Sequence, residues 1–352
     1  MIVYGNIEFH AAELKKVKNG LQLLRIPETV GNTLNERARF VAHDSIGTEI
    51  RFVTEAPNIR ISLSAIKPEF FFETHDIRVM YGNMEMSTLR LNEGVISSFM
   101  LSPPEFINDI KPELLRSGNG LGFAPNVWRF ISNTGGLIFY ELETFGHVVR
   151  PPAPEEKPSR VCLCYGSSIT NSDISGYPFV MTRRLGFELM NLGFSGACLC
   201  EHSMADWIAT ECEWDYLILE LGVNMLGLSA EEFHKRIDYM LSMVLKNNPS
   251  KAVFLLTMFP MRYSPEYKAS ENSTFTESST FTEFNEILRR LYEKYKNYSH
   301  LYLIEGATIM DDIFYLRADF THPSTYGHTA MGLRLADIMK QYIPSTSTLS
   351  SP

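Results

Sequence analysis

The stretch Val161-Cys-Leu-Cys-Tyr-Gly-Ser-Ser-Ile-Thr170 constrains the fold more than any other part of this chain. It opens as a short apolar run and closes in Gly166, Ser167 and Ser168, small residues that permit a tight turn. A helical pattern over 177–185 follows. An apolar run of this length, bounded by a turn, reads as a buried strand of a parallel sheet. Parallel strands need crossover connections, usually helices. Strand, small-residue turn and helix is also how α/β proteins present a nucleophile or cradle an anion at the carboxyl edge of a sheet. Taken alone, the stretch is equally well explained as a polar turn at a strand end.

The alternation continues downstream. Strand candidates are residues 161–165, 188–192, 216–221, 253–257 and 301–304, with helical patterns between several of them. Ser229-Ala-Glu-Glu232 reads as a capping box. It would open a helix with Phe233, Ile237, Leu241 and Val244 on one face. Thr280-Phe-Thr-Glu283 reads as a second box, ahead of Phe284, Ile287, Leu288, Leu291 and Tyr295. The expectation is a doubly wound parallel sheet with helices on both faces. Residues 260–280 form a long polar connection with Ser-Thr-Phe-Thr-Glu at 273–277 and again at 279–283. A lid and a surface insertion both fit it. Residues 345–352 read as a frayed tail.

Upstream of residue 150 the period is different. Runs at 51–54, 59–64, 77–81 and 128–131 alternate apolar with polar residues, and 137–142 is more continuously apolar. Turn signals fall at Ala56-Pro-Asn, Tyr81-Gly-Asn, Asn92-Glu-Gly and Asn133-Thr-Gly-Gly. Short strands at this spacing predict an antiparallel β-sandwich, jelly-roll-like in type. Phe70-Phe-Phe72 and Trp128 are read as its core rather than as a sugar-stacking platform. Residues 150–158, Arg-Pro-Pro-Ala-Pro-Glu-Glu-Lys-Pro, form a stiff polar linker. The expected division is therefore a β-sandwich domain at 1–150 and an α/β domain at 151–352.

Composition narrows the function. A formal charge of −9 argues against nucleic acid or an anionic membrane as main partner. No apolar run approaches the ~18 residues of a membrane helix. Met1-Ile-Val-Tyr-Gly-Asn-Ile-Glu8 lacks the basic-then-apolar order of a signal peptide. The five cysteines are an odd number in a large chain, which fits reduced thiols and a cytoplasmic location. Cys162/Cys164 and Cys198/Cys200 have one intervening residue each, whereas zinc pairs have two to four, so small buried thiols are expected. No metal or cofactor is expected, and the oligomeric state is left open.

Three later segments bear on Ser168. Asn191-Leu-Gly-Phe-Ser-Gly196 is a strand end running into a glycine loop, and Leu219-Glu-Leu-Gly-Val-Asn224 is another strand ending in glycine and an amide. Asp319-Phe-Thr-His322-Pro323 precedes the last helical stretch. Singly, His322 reads as a helix-entry residue, Asp319 as a cap, Asn224 as a turn former and Gly196 as a steric necessity. Together they resemble the SGNH (GDSL-type) hydrolase superfamily. Gly166-Ser167-Ser168 is similar to its first block, commonly Gly-Asp-Ser. Gly196 matches the second-block glycine, Asn224 the third-block asparagine, and Asp319-x-x-His322 the fifth-block pair. The resemblance spans roughly residues 160–342. Ser167 stands where Asp is usual, and Met225 where Asp often follows the asparagine.

The resemblance implies a flavodoxin-like SGNH domain and a serine esterase. Ser168 would be the nucleophile, His322 its base and Asp319 the group that orients His322. The N–H groups of Ser168 and Gly196 and the Asn224 amide would form the oxyanion hole. An all-β domain ahead of the hydrolase domain is similar to bacterial carbohydrate esterases of this superfamily. A short acyl ester, O-acetyl foremost, on a small molecule or oligosaccharide is the implied substrate. The alternatives are a lipid or lysophospholipid acylhydrolase and a carbohydrate-binding protein without turnover. Glu201, His202 and Asp206 are assigned surface or capping roles, and His328 a structural one.

Overall fold

The computed structural model of the chain describes residues 1–66, 75–115, 122–133, 135–267 and 276–343. Phe70-Phe-Phe72, residues 268–275 of the polar connection and the 345–352 tail lie outside these residues.

Up to residue 150 the strands are β1 (Ile2–Tyr4), β2 (Ile7–His10), β3 (Glu13–Val17), β4 (Gly20–Leu24), β5 (Glu49–Thr54), β6 (Ile59–Ile66), β7 (His75–Tyr81), β8 (Met84–Leu91), β9 (Ser97–Leu101), β10 (Val127–Ser132), β11 (Gly136–Glu143) and β12 (Val149–Arg150). One antiparallel sheet runs β1-β2-β5-β10-β7-β8, with β12 also on β5, and the other runs β3-β4-β11-β6-β9. Phe9, Ile50, Phe52, Val79, Trp128 and Phe130 of the first sheet share a core with Leu23, Ile61, Leu63, Leu137 and Phe139 of the second. Trp128 is fully buried there, stacked beside Phe52 and Phe130, as the pattern of its strand implies.

Alternation of this kind usually signals a solvated outer face. Here the outer face of β5 and β10 is also closed, and Glu49, Arg51 and Arg129 are buried against the second half of the chain. Strands β1–β4, β8, β9 and β12 are not among those the sequence pattern predicts. They are short, or carry charges such as Lys15, Lys16 and Arg90 that break the apolar pattern.

Two helices leave this region, α1 (Glu28–Gly31) and α2 (Glu36–Ala42). The Asn35 side chain caps α2 by accepting from Ala38 N–H at 3.0 Å. Ala38 and Val41 of α2 pack with Phe194, Ala197 and Cys198 of the second half. A short α3 (Pro112–Leu115) follows later.

Beyond residue 160 lie β13 (Val161–Gly166), α4 (Tyr177–Leu185), β14 (Glu188–Gly193), α5 (His202–Thr210), β15 (Tyr216–Glu220), α6 (Ala230–Asn247), β16 (Ala252–Leu256), α7 (Thr276–Tyr295), β17 (Leu301–Ile304), α8 (Gly306–Ile309) and α9 (Thr325–Met339). The sheet order is β14-β13-β15-β16-β17, all parallel. This is the flavodoxin-type order, which opens a ligand crevice at the carboxyl ends of the strands. Cys162 and Cys164 face α4 and α9 across a core with Tyr177, Met181, Met331 and Leu335. Leu163 and Tyr165 face α5, α6 and α7. All five cysteines are free thiols, and all but Cys212 are buried. Among the described residues no helix is long and apolar enough to cross a membrane.

Two helix starts differ from expectation. Ser229 caps α6 by accepting from Glu232 N–H at 3.2 Å, but the Glu232 carboxylate turns to Arg236 at 2.7 Å, so only half of the box forms. Helix α7 begins at Thr276, so residues 280–283 lie inside it rather than at its start.

The two halves meet through buried charge. Arg51 donates to Glu49 at 2.8 Å and to Glu188 of β14 at 2.9 Å. Arg129 donates to Glu49 at 2.7 Å, and the His10 ring bonds the Leu189 carbonyl at 2.7 Å. Burial pushes the Glu188 carboxyl up, but Arg51 and His10 outweigh it and bring it down to about 2. Residues 150–158 are held at both ends: Arg150 of β12 pairs with Val53 of β5, and Lys157 pairs with Glu8, while Arg150 bonds Glu156 within the segment at 2.6 and 2.8 Å.

Candidate active site

Strand β13 ends at Gly166, where a Cβ would lie 2.4 Å from Thr170 Oγ1 and 2.6 Å from Glu220 Oε2, so only glycine fits. The turn behind it is held by one buried carboxylate oxygen. Glu220 Oε2 accepts from Ser167 N–H at 2.7 Å, Ser167 Oγ–H at 2.8 Å and Thr170 Oγ1–H at 3.0 Å. Ser167 Oγ in turn accepts from Ile169 N–H at 3.1 Å, the side-chain-to-backbone bond expected of a turn residue. Burial raises the Glu220 carboxyl to about 7 against the opposing pull of these hydrogen bonds. Ser167 thus faces the interior, and adjacent residues at a strand end point apart. Ser168 is directed to the other side, where its Oγ lies 2.8 Å from His322 Nε2.

His322 is set by a short turn ahead of α9. Asp319 Oδ1 accepts from the N–H groups of Thr321 and His322 at 2.9 Å each, and Oδ2 lies 2.8 Å from His322 Nδ1. Phe320, in the left-handed region at φ 51°, closes the turn, and Ser324 caps α9 by accepting from Gly327 N–H at 3.1 Å. Partial burial would raise the Asp319 carboxyl, but the two backbone donors and the imidazole outweigh it and hold it at about 2. An ionised carboxylate only accepts, so Nδ1 carries the hydrogen and Nε2 offers its lone pair to Ser168 Oγ–H. A hydroxyl donating to an imidazole that is itself held by a carboxylate is the arrangement that activates a serine.

The loops after β14 and β15 reach the same place. Asn224 Oδ1 accepts from Cys198 N–H at 3.1 Å, and among the described residues its NH2 has no acceptor. Gly196 has φ 65°, a left-handed conformation that a side chain would strain. Among the described residues neither Ser168 N–H nor Gly196 N–H has a protein acceptor. Buried Arg25, from just after β4, ties these parts together. It donates to the Gly193 carbonyl at 2.8 Å, Asn171 Oδ1 at 3.2 Å and the Val41 carbonyl at 2.8 Å. Asn171 Nδ2 then donates to Ser195 Oγ at 2.7 Å. The first half of the chain therefore braces the glycine loop against the Ser168 turn.

Ser168, Gly196, Asn224 and His322 all line one open cavity of about 550 Å³. Asp319 stands behind His322. Glu201, His202 and Asp206 are not among the lining residues. Glu201 accepts from Asn35 N–H at 3.3 Å, His202 stacks on Tyr239, and Asp206 accepts from the Tyr239 hydroxyl at 2.7 Å. His328 does line the cavity. Its Nδ1 accepts from Tyr177 N–H at 3.3 Å, and burial lowers it to about 4. Glu220, Arg25, Arg37 and Arg317 are among the site residues the sequence pattern missed. Glu220 sits in an apolar strand beside a named motif, and a lone carboxylate there was the available signal; nothing local marks Arg25 or Arg37.

A model of the GDSL-like lipase/acylhydrolase family matches residues 159–343. No curated protein matches the sequence. Among solved structures the chain is similar to the salicylyl-acyltransferase SsfX3 from a tetracycline biosynthetic pathway, with 14% identity, a TM-score of 0.74 and 97% of each chain covered. It is similar to a candidate GDSL-like lipase from Bacteroides ovatus, with 17% identity, a TM-score of 0.66 and 97% of each chain covered. A family two carbohydrate esterase from Clostridium thermocellum, solved with cellohexaose, has 12% identity and a TM-score of 0.62, covering 96% of this chain and 98% of its own. At these identities the likeness is one of fold, and it extends over the antiparallel sheets as well as the parallel one. Because the family model spans more than half of the chain, the chain belongs to the GDSL-like lipase/acylhydrolase family of ester-cleaving hydrolases.

Proposed function

We propose that the chain is a serine esterase that removes a short acyl group, O-acetyl foremost, from a polar alcohol such as a carbohydrate. Ser168 Oγ attacks the ester carbonyl carbon while His322 Nε2 takes its proton. The oxyanion is held by Ser168 N–H, Gly196 N–H and the Asn224 NH2. The C–O bond to the alcohol then breaks, and His322 returns the proton to the leaving oxygen. Water attacks the acyl-serine by the same route in reverse, releasing the acid and restoring Ser168. Asp319 keeps His322 in the required tautomer throughout.

The observation that carries the substrate class is the cavity lining. Asn133, Asn171, Ser172, Ser175, Ser195 and Thr325 line it, and among the described residues Ile46 and Val223 are its only aliphatic side chains other than those of Thr. Hydroxyls and amides suit a hydroxyl-rich alcohol, whereas a long acyl chain needs apolar walls. This favours a carbohydrate ester over a lipid. We further propose that residues 1–150 form a jelly-roll-like sandwich domain and 151–352 the SGNH domain, working as one unit through Arg25. The test compares p-nitrophenyl acetate, p-nitrophenyl decanoate and acetylated oligosaccharides. Release of acetate from the first and third with little from the second is expected. Preference for decanoate would establish the lipid reading, and no turnover of any ester the binding-protein one.

A further inference from the structure

The cavity over Ser168 carries two guanidinium groups from opposite halves of the chain, Arg37 of α2 and Arg317 of the segment leading into the Asp319 turn. Arg37 Nε donates to the Ser195 carbonyl at 3.2 Å. Its guanidinium lies over Gly196, where a Cβ would come within 2.6 Å of Arg37 Cζ. Arg317 N–H donates to the His322 carbonyl at 2.8 Å, which keeps Arg317 beside the imidazole segment. The Arg317 side chain has no ion pair or hydrogen bond among the described residues.

Among the described residues lining the cavity Asp173 is the one carboxylate. It is already engaged: it accepts from Ser175 N–H at 2.8 Å and Asn133 Nδ2 at 3.3 Å, and lies 3.7 Å from Arg78. His328 adds no charge near neutral pH, because burial and the nearby Arg317 lower it to about 4. The lining thus holds two guanidinium groups, of which the Arg317 side chain makes no bond among the described residues, and one carboxylate that is already engaged, in a chain whose formal charge is −9. A guanidinium is the side chain suited to planar, two-point recognition of a carboxylate.

We propose that the ester turned over here bears a carboxylate, and that Arg317 and Arg37 recognise it. This rests on the esterase reading above. His322 hands its proton to the leaving alcohol, so the alcohol lies on the Arg317 side and Arg317 reads a carboxylate on that half of the substrate. Arg37 lies over the glycine loop and adds positive charge beside the oxyanion site. The substrate class is an acylated hydroxy acid, an acetylated sugar acid among them.

The test measures kcat/KM for two matched pairs: para-acetoxybenzoate against its methyl ester, and p-nitrophenyl hemisuccinate against p-nitrophenyl butyrate. The first pair puts the charge on the alcohol half and the second on the acyl half. The anionic-to-neutral ratio is expected to exceed one for the first pair and to shrink with added salt. It should fall about tenfold or more in Arg317→Gln, fall in Arg37→Gln, and return in part in Arg317→Lys. A ratio is independent of the folded fraction, so a poorly folding variant still reports. Preference confined to the hemisuccinate pair and lost with either arginine would support the recognition but move the anion to the acyl half. Equal use of both members of both pairs, or a ratio that neither arginine moves, overturns the proposal. A wild-type protein inactive on all four esters defeats the esterase reading itself, and this proposal with it.

Discussion

The Glu220 carboxylate receives the backbone N–H of Ser167 at 2.7 Å, one residue before the candidate nucleophile. Burial raises this carboxyl from 4.5 to about 7. A carboxyl with a raised folded pKa binds its proton more tightly in the native state. Its contribution therefore favours folding at low pH, and that advantage is lost as pH rises from 4.5 through about 7. The full swing is on the order of 3 kcal/mol. Urea melts of wild type and Glu220→Gln across this range should show the wild-type slope flattened in the variant. Glu220→Ala should lose about 1–3 kcal/mol, because Ser167 N–H is left buried without an acceptor. An unchanged pH slope in Glu220→Gln would assign the titration to another group.

Ser167 and Ser168 are adjacent and chemically alike, yet only Ser168 reaches His322. Ser168→Ala should lower kcat by roughly 10⁴-fold or more with an unchanged melting curve. Ser167→Ala should keep most activity, and an organophosphate adduct should map to Ser168 by mass spectrometry. An adduct on Ser167 would relocate the centre of the site.

Asp319 holds the His322 tautomer through Nδ1 and its backbone through Oδ1. Asp319→Asn preserves the shape but presents a competing donor, so kcat should fall by roughly 10³–10⁴. A chelator should leave turnover intact; loss with EDTA restored by zinc would contradict a serine route.

Asn224 is oriented by Cys198 N–H so that its NH2 remains available. Asn224→Ala should lower kcat by about 10²–10³ while leaving KM for a small acetate ester nearly unchanged, as loss of one oxyanion donor does. A change in KM alone would make Asn224 a substrate-binding group instead.

Glu188 and Arg51 tie the parallel sheet to the antiparallel one at 2.9 Å. The Glu188 carboxyl is depressed from 4.5 to about 2, so its contribution is present above 4.5 and is lost as pH falls toward 2. Glu188→Ala should cost about 3–5 kcal/mol, because Arg51 is left buried with an unbalanced charge. Residues 151–352 alone should express poorly, since they would expose Glu188 and the loop that Arg25 braces. A soluble, fully active fragment would show that the first half is dispensable.

The sequence by itself determined the strand and helix order after residue 160, because strands covered on both faces need continuous apolar runs and the connecting helices show their own period. It also determined the order of Ser168, Gly196, Asn224, Asp319 and His322, each of them at a strand end or turn that local residues specify. It did not reveal strands β1–β4, which are only three to five residues long, too short for a period to show. Only the tertiary structure decided the roles of Arg25, Arg37, Arg51 and Glu220. Arg25 acts on Asn171 across 146 residues, and Glu220 on Ser167 across 53. A charged side chain in a short segment ordinarily reads as solvated surface. It becomes a buried brace only when another part of the chain closes over it, and that closure is a property of the tertiary fold, which no local pattern encodes.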